Sequence, residues 1–255
     1  MIHVNDRKPG GIFPFITIAV IVLNCLVLLY GLSLGPRFEA FVYRFGLIPY
    51  EVTRGRQVIF VCRHLVRDER TGDLQVMAEV SEEGFPDARS VLKEAYFPIL
   101  SSMFLHANLL HLAGNMVFLW LFGPRIENYL GHLRFLWFYL LCGIMASFCH
   151  IASNGGSEVP TIGASGSISG ILGACLLLYP NYRVFRSLPF FYFIRIGAVP
   201  AFFLIGMWFI GLVIYSIAGC SVAWFAHIGG FVGGLLLILI LRPRKGLRRR
   251  IRYFV

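Results

Sequence analysis

Long apolar runs separated by short polar stretches are the dominant pattern in this chain. Uncharged runs cover residues 9–36, 95–124, 135–157, 159–182 and 196–241. A helix of about 20 residues is long enough to cross the ~30 Å hydrocarbon core of a bilayer. The last run is long enough for two such helices, and the small residues at 218–221 divide it. The pattern therefore predicts an all-α membrane protein with six transmembrane helices.

The composition agrees with a membrane protein, since 57% of the 255 residues are apolar and only 14% are charged. The net charge of +10 does not indicate a nucleic-acid partner, because seven of the 23 basic residues lie in the last 14 positions, directly after an apolar run. That placement is typical of a cytoplasmic anchor that also meets anionic membrane lipid. The six cysteines form no C-x-x-C pair, so neither a disulfide framework nor a metal site is predicted.

The distribution of Lys and Arg predicts the orientation. Basic residues flank the loops near residues 125–134 and 183–195, whereas the loops at 154–161 and 218–221 have none. Cytoplasmic loops carry the excess of basic residues, so both termini are predicted to be cytoplasmic. The first apolar run is too long for a cleaved signal peptide and is predicted to remain as a signal anchor. We expect a multi-pass integral membrane protein, in the cytoplasmic membrane if the source is bacterial.

This topology divides the chain into five segments. They are a cytoplasmic N-terminus (1–10), a first transmembrane helix (11–34), a long extracytoplasmic loop (35–102), a core of five helices (103–241) and a basic cytoplasmic tail (242–255). In the long loop, two stretches rich in β-branched residues, 57–66 and 74–80, flank a polar turn at 67–73. The pattern predicts a small β-hairpin there.

Polar residues in three of the predicted helices are the candidates for chemistry. The second, fourth and sixth helices are expected to begin near Phe104, Thr161 and Val222 and to run inward from the outer face. At 1.5 Å per residue, Ser165, His227 and His111 then lie roughly 6, 8 and 10 Å below those starts, with Asn115 one turn deeper on the face of His111. Polar groups at one depth in lipid are expected to face each other.

Small residues give two of these helices a face for close packing. Gly166 and Gly170 recur at i, i+4 on the fourth helix, and Gly230 and Gly234 on the sixth. Such an approach would let the Ser165 hydroxyl reach a ring nitrogen of His227, the minimal activated nucleophile. The alternative is an interhelical hydrogen bond of about 1 kcal/mol that only holds the bundle together. For one isolated Ser or His we favour that alternative; for several residues at one depth we favour chemistry.

Four motifs resemble those of the rhomboid intramembrane serine proteases. They are H-A-N-L-L-H-L-A-G-N at 106–115, F-G-P-R-I-E-N-Y-L-G at 122–131, G-A-S-G at 163–166 and A-H-I-G-G-F-V-G-G at 226–234. The resemblance spans about half of the chain, and the order and spacing of the motifs make it specific. It departs at Phe97-Pro98, where some bacterial rhomboids carry a Trp-Arg pair, so the conformation of that loop is not predicted.

The resemblance implies a six-helix rhomboid-like bundle with a water-accessible cavity open to the outside. It implies Ser165 as nucleophile and His227 as general base, with the oxyanion held by the side chains of His111 and Asn115 and by the backbone N–H of Ser165. It assigns supporting positions to His106, near the cavity mouth, and to Gly163, Gly166 and Gly230. Gly123, Glu127 and Gly131 match the loop after the second helix, where Glu127 is expected to be structural.

The acidic residues add a separate inference. After Glu94 the chain contains only Glu127 and Glu158. Glu127 is predicted on the cytoplasmic side and Glu158 in an outer loop, so no carboxylate is expected to orient His227. We therefore expect a Ser–His dyad and not the three-residue arrangement of Ser, His and Asp.

The predicted function is an endopeptidase that cleaves other membrane proteins in or next to their transmembrane segments, with no metal or organic cofactor. Transmembrane protein substrates and membrane lipids are the expected partners. One alternative is a catalytically silent rhomboid-like protein that binds membrane clients without cutting them. Another is a small transporter, but the inner halves of the spans, such as 172–178 and 235–241, are nearly all apolar and offer no polar path.

Overall fold

A computed structural model of the chain describes residues 12–54, 62–67, 74–79, 96–182, 184, 199–217 and 223–242. In chain order its elements are α1 (Phe15–Ser33), α2 (Phe38–Phe45), α3 (Pro49–Arg54), β1 (Cys62–Arg67), β2 (Leu74–Glu79), α4 (Pro98–Ser101), α5 (Leu109–Leu130), α6 (His132–Asn154), α7 (Ser165–Leu178), α8 (Ala201–Ile217) and α9 (Trp224–Leu241). Short 3₁₀ turns at Gly35–Arg37 and Ser102–Phe104 precede α2 and follow α4.

The predicted helical membrane bundle is confirmed. Within the described residues, four helices are long and apolar enough to cross a membrane: α1, α5, α6 and α9. Two shorter apolar helices, α7 and α8, lie at the places predicted for the fourth and fifth spans. Among the described residues, apolar helices therefore lie at all six predicted places, but only four are long enough to cross a bilayer alone, so the count of six spans stays a prediction.

Helix α7 is the centre of the bundle. All of its residues from Gly166 to Cys175 are buried, and α5, α6 and α9 pack around it. The largest side chains of this core, Phe122, Phe135, Phe138 and Tyr139, are completely buried between α5, α6 and α7. In lipid, no hydrophobic force drives helices together, so close packing has to hold them. Glycine and serine allow that close packing, which is why small residues are expected in the central helix.

The carboxylate of Glu127 joins the end of α5 to the start of α1. It is fully buried and accepts hydrogen bonds from the backbone N–H groups of Ile16 (2.9 Å) and Thr17 (2.8 Å) and from the Thr17 hydroxyl (2.6 Å). The His132 ring nitrogen Nδ1 lies 2.6 Å from the carboxylate oxygen Oε1, which also accepts from Ile16. The first N–H groups of a helix have no partner inside the helix, and the helix dipole favours a negative charge there. Glu127 therefore acts as the cap that Pro14, at the N-cap position, does not supply.

The connection between α1 and α5 reaches back to the core. Strands β1 and β2 pair antiparallel, with Cys62 opposite Glu79 and Arg67 opposite Leu74, in the loop for which a hairpin is predicted. Nearer to α1, Leu47 forms a two-bond bridge with Thr161 on the segment between α6 and α7. The predicted N-terminal segment 1–10, the break at 218–221 and most of the basic tail lie outside the described residues.

Three helices begin later than predicted. Helix α5 begins at Leu109 and not near Phe104, because the backbone at Leu105 is extended and the side chain of Asn108 caps the helix by accepting from the His111 N–H. Helix α7 begins at Ser165 and not near Thr161, since Gly163 has a φ of +125° that no α-helix contains. Helix α9 begins at Trp224, two residues after the predicted start.

Candidate functional site

Ser165 is the first residue of α7. The segment before it, residues 155–164, leaves α6 and folds over the end of the bundle, where the Gly163 N–H donates to the Ser102 carbonyl (2.8 Å). The first hydrogen bond of α7 is donated by Ile168 to the carbonyl of Ala164. The N–H of Ser165 therefore has no partner inside the helix and lies at the positive end of the helix dipole.

Gly163 keeps open the space between the Ser165 hydroxyl and the His111 ring. A Cβ built at this glycine would lie 3.0 Å from both Cε1 and Nε2 of His111 and 3.6 Å from Ser165 Oγ. Its φ of +125° is also a conformation that other residues rarely adopt. The geometry therefore requires glycine at 163, and it places the His111 ring and the Ser165 hydroxyl on either side of one small volume.

Helix α9 reaches α7 through glycines on both helices. A Cβ at Gly230 would overlap the backbone carbonyl of Gly166, and a Cβ at Gly234 would overlap that of Gly170. The two backbones are thus in direct contact, as the sequence predicts for these small faces. This contact brings the first turn of α9, which carries His227, beside the first turn of α7, which carries Ser165.

His227 is buried, and a backbone carbonyl holds its ring. Its Nδ1 lies 2.9 Å from the carbonyl oxygen of Ala223, one turn earlier in the chain. A carbonyl only accepts, so Nδ1 carries the proton and Nε2 is left as the basic nitrogen. Trp208 of α8 packs against the ring with centroids 6.3 Å apart. Neither carboxylate of this half of the chain is in that role, since Glu158 is exposed and Glu127 binds α1.

His111 and Asn115 lie on one face of α5. The Ala107 N–H donates to His111 Nδ1 in a long bond of 3.5 Å, which leaves Nε2 of that ring as the donor. The Asn115 amide donates to the His111 carbonyl (2.9 Å), and its second amide hydrogen is available. The buried Asn115 Oδ1 has no hydrogen-bond partner among the described residues.

These four residues line a single cavity of about 1000 Å³. Residues near the starts of α5, α7 and α9 line it, together with residues of α6, of α8 and of the segment 155–164. Among the described residues no hydrogen bond joins the Ser165 hydroxyl to His227. Hydrogen bonds between catalytic groups are often long before substrate binds and shorten in the complex. The cavity thus contains a hydroxyl, an imidazole with a free nitrogen, and three potential donors.

The supporting residues take different positions. Gly163 and Gly166 line the cavity, and Gly230 lies behind it against the Gly166 carbonyl. His106 is 1% exposed and packs edge-to-face on His111 with centroids 5.0 Å apart. It is not one of the described residues that line the cavity, so it lies behind His111 and not at the mouth.

A second polar group in the cavity was not singled out from the sequence. His150 and Asn154 at the end of α6, with Thr161 on the following segment, also line the cavity. A signal was present, because His150 and Asn154 repeat the i, i+4 spacing of His111 and Asn115. Thr161 gives no such signal, since its contact with His150 depends on how the segment folds back.

Comparison with known proteins agrees with the motifs. The family model of the rhomboid domain matches residues 93–244. The presenilin-associated rhomboid-like protein, mitochondrial, of Bos taurus is 33% identical over 151 residues, which cover 55% of this chain and 37% of that protein. RHOMBOID-like protein 5 of Arabidopsis thaliana is 29% identical over 172 residues (64% and 50%), and Rhomboid protein 1, mitochondrial, of Saccharomyces cerevisiae is 31% identical over 153 residues (54% and 40%). The match thus spans half or less of each of these relatives.

Proposed function

Because this chain belongs to the rhomboid family, we propose that it is a serine endopeptidase that cleaves other membrane proteins in or beside their transmembrane segments. The protein is a multi-pass membrane protein of helical fold. The observation that carries the proposal is that Ser165, His227, His111 and Asn115, from three different helices, line one cavity.

The first half of the reaction transfers an acyl group to Ser165. His227 Nε2 takes the hydroxyl proton as Ser165 Oγ attacks the carbonyl carbon of the scissile peptide bond. The C–N bond then breaks, and the imidazolium gives its proton to the departing amine. The Nδ1–H bond to the Ala223 carbonyl supports this role, because it keeps the ring in the tautomer whose free nitrogen is Nε2.

Three donors stabilise the oxyanion that forms during attack. The Ser165 N–H is free because it opens α7, and the His111 Nε2–H and the Asn115 amide come from α5. Donors held in place before reaction cost no reorganisation as charge develops, and each is worth about 10²–10³ in rate. Gly163 supports this arrangement, since a side chain there would occupy the space beside the His111 ring and Ser165 Oγ.

The second half releases the acyl group. Water attacks the Ser165 ester while His227 Nε2 takes one of its protons, and the proton returns to Ser165 Oγ as the carboxylic acid leaves. His227 is hydrogen-bonded to the Ala223 carbonyl and to no carboxylate of the described residues, so we infer a Ser–His dyad.

We propose transmembrane proteins as substrates, with cleavage near the outer face of the membrane and both termini of the enzyme in the cytoplasm. The loop at 154–161, which leads to Ser165, contains no Lys or Arg and supports this orientation. A helical substrate hides its carbonyls in i→i−4 hydrogen bonds, so it must unwind before attack. Gly or Pro near the cleaved bond should therefore favour hydrolysis.

The test compares the purified protein with its Ser165→Ala variant in detergent, using a transmembrane substrate and a serine-reactive fluorophosphonate probe. We expect cleavage to fall by more than about 10⁴-fold and labelling to disappear, and His227→Ala to behave alike. Ser169→Ala is the matched control: Ser169 is one turn further along α7, completely buried, and not among the described residues lining the cavity.

Cleavage that persists in Ser165→Ala would overturn the nucleophile assignment and turn attention to Ser167 and Ser169. A wild-type protein that binds the substrate but neither cleaves it nor reacts with the probe would instead support a catalytically silent client-binding protein.

A further inference from the structure

His150 is a buried histidine in the cavity with no part in the chemistry proposed above. It lies one turn before the end of α6, is 7% exposed, and lines the cavity. A titratable ring in such a position invites a catalytic role. Its hydrogen bonds indicate a structural role instead.

Both ring nitrogens of His150 are engaged within the protein. Nδ1 lies 3.4 Å from the amide nitrogen of Asn154, and Nε2 lies 2.9 Å from the hydroxyl of Thr161. An amide nitrogen only donates, so Nδ1 accepts and Nε2–H donates to Thr161 Oγ1. His227 differs, because its Nε2 has no hydrogen-bond partner among the described residues. His150 therefore has no nitrogen left for proton transfer.

Thr161 is the point at which the segment before Ser165 is fixed. Its N–H donates to the Leu47 carbonyl (2.7 Å), and its carbonyl accepts from the Leu47 N–H (3.0 Å). Two residues later the Gly163 N–H binds the Ser102 carbonyl (2.8 Å), and two residues after that α7 begins with Ser165. Leu47 and Ser102 hold this segment from one side through its backbone, and His150 holds it from α6 through a side chain.

We propose that His150 is a positioning residue for the reaction proposed above: its bond to Thr161 fixes the segment 161–164 and thereby the orientation of Ser165. The inference rests on the proposed function. The bond acts on the Ser165 hydroxyl and on the Ser165 N–H, because Ser165 is the first residue after that segment. The rate of attack should therefore change more than the affinity for substrate.

The test removes the bond from either side and then restores it. Thr161→Val deletes the hydroxyl and keeps the branched shape, whereas Thr161→Ser keeps the hydroxyl. His150→Leu deletes the ring donor, and His150→Gln retains an N–H at similar reach. The readouts are the rate of fluorophosphonate labelling of Ser165, kcat and KM for a transmembrane substrate, and the melting temperature.

We expect Thr161→Val and His150→Leu each to lower the labelling rate and kcat by about tenfold, since small misplacements of reacting groups are costly. KM should change by less than about twofold, and the Ser and Gln variants should label at near the wild-type rate. The double variant should be no slower than either single variant, because both remove one interaction. Thr53→Val is the control, because it deletes a side-chain hydrogen bond to the Gly155 carbonyl. Gly155 belongs to the same connection between α6 and α7 but is not among the described residues that line the cavity.

Wild-type labelling and kcat in Thr161→Val, or losses that multiply in the double variant, would overturn the positioning role. So would a fall in melting temperature with no change in kcat. If Ser165→Ala abolishes cleavage while Thr161→Val does not slow it, the inference fails and the proposed function stands. If Ser165→Ala leaves cleavage intact, the assignment of Ser165 as nucleophile fails, and the positioning role of His150 fails with it.

Discussion

Helix α5 carries a buried polar group at each end, and the two ends are built differently. Glu127 lies 16 residues after His111, which is about 24 Å along the helix. At the Glu127 end, the carboxylate has partners on both oxygens: Oε1 binds the Ile16 N–H and His132, and Oε2 binds the N–H and hydroxyl of Thr17. At the His111 end, the buried Asn115 Oδ1 has no hydrogen-bond partner among the described residues.

The difference distinguishes the structural role of the Glu127 end from the chemical role that we propose for the His111 end. Buried polar groups cost free energy unless they are hydrogen-bonded, and in most proteins nearly all of them are. The Glu127 group satisfies this rule completely and joins α1 to the bundle. The His111 end leaves hydrogen-bonding capacity unused inside a cavity that also holds Ser165 and His227. The second hydrogen of the Asn115 amide and the His111 Nε2–H are the donors on this side of the cavity, and donors beside a nucleophile are what stabilising an oxyanion requires.

The largest expected effect on stability is at the satisfied end. Glu127→Ala would leave two helix N–H groups and the Thr17 hydroxyl without their buried acceptor, so the free energy of unfolding should fall by about 3–5 kcal/mol. The molecules that remain folded should still label with fluorophosphonate at the normal rate. Unfolding in detergent and labelling of the folded fraction measure the two quantities.

Glu158→Ala is the matched control for this change, because Glu158 is an exposed carboxylate and its loss should leave unfolding unchanged. A Glu127→Ala protein that melts normally but does not label would reverse the assignment of the two ends.

The next effect is at the unsatisfied end and concerns rate. Asn115→Ala should lower kcat by about 10²–10³, the value of one oxyanion donor, with little change in melting temperature. Steady-state kinetics with a transmembrane substrate measure the first, and thermal unfolding the second.

Asn24→Ala provides the comparison for Asn115→Ala. Asn24 is a buried asparagine of α1 whose amide also donates to the carbonyl four residues earlier, at 2.7 Å from Val20. The Asn24→Ala variant should keep the kcat of the wild type. Equal loss of activity in both variants would mean that Asn115 acts only through helix packing.

A smaller effect is expected where α7 and α9 touch. Gly230→Ala pushes a methyl group against the Gly166 carbonyl, so unfolding should become easier by about 1–3 kcal/mol and labelling of Ser165 slower. Gly206→Ala, on an exposed position of α8 where a Cβ meets nothing within 4 Å, should change neither. Unchanged labelling in Gly230→Ala would show that this contact does not set the distance between Ser165 and His227.

The smallest effect is predicted for Glu158, the other carboxylate that follows Glu94 in the chain. Glu158→Gln should keep kcat within about twofold of the wild type at every pH, because the Ala223 carbonyl already holds His227 Nδ1. A loss approaching the roughly 10⁴-fold seen when a triad carboxylate is removed would mean that Glu158 moves into the site when substrate binds.

Several of these features could be predicted from the sequence because they are local or depend on composition. Apolar runs of membrane length locate the helices, and polar residues within them, such as His111 and Asn115, are rare enough to stand out. The glycine pairs on α7 and α9 follow from spacing alone. The hydrogen bond between His150 and Thr161 did not follow, because it depends on a turn held by Leu47 and Ser102, which are distant in sequence.

The first residue of a helix is also difficult to predict from the sequence when it depends on contacts with distant residues. The apolar pattern does not mark where α7 begins, since Thr161 and Ile162 suit a helix as well as the residues after them do. The positive φ at Gly163 and its bond to Ser102 end the extended segment and leave Ser165 as the first helical residue. That shift puts its backbone N–H at the free end of the helix, where it can donate.

By itself, the amino-acid sequence determines that this chain is a helical membrane protein and which polar side chains enter its helices, because lipid admits few polar groups and helix periodicity gives each one a face. Only the tertiary structure decides which of those groups stay unsatisfied around one cavity and which, like Glu127 and His150, are engaged with a neighbouring segment. The physical reason is that a hydrogen bond between distant segments depends on the position of both, and that position is set by the packing of the whole bundle.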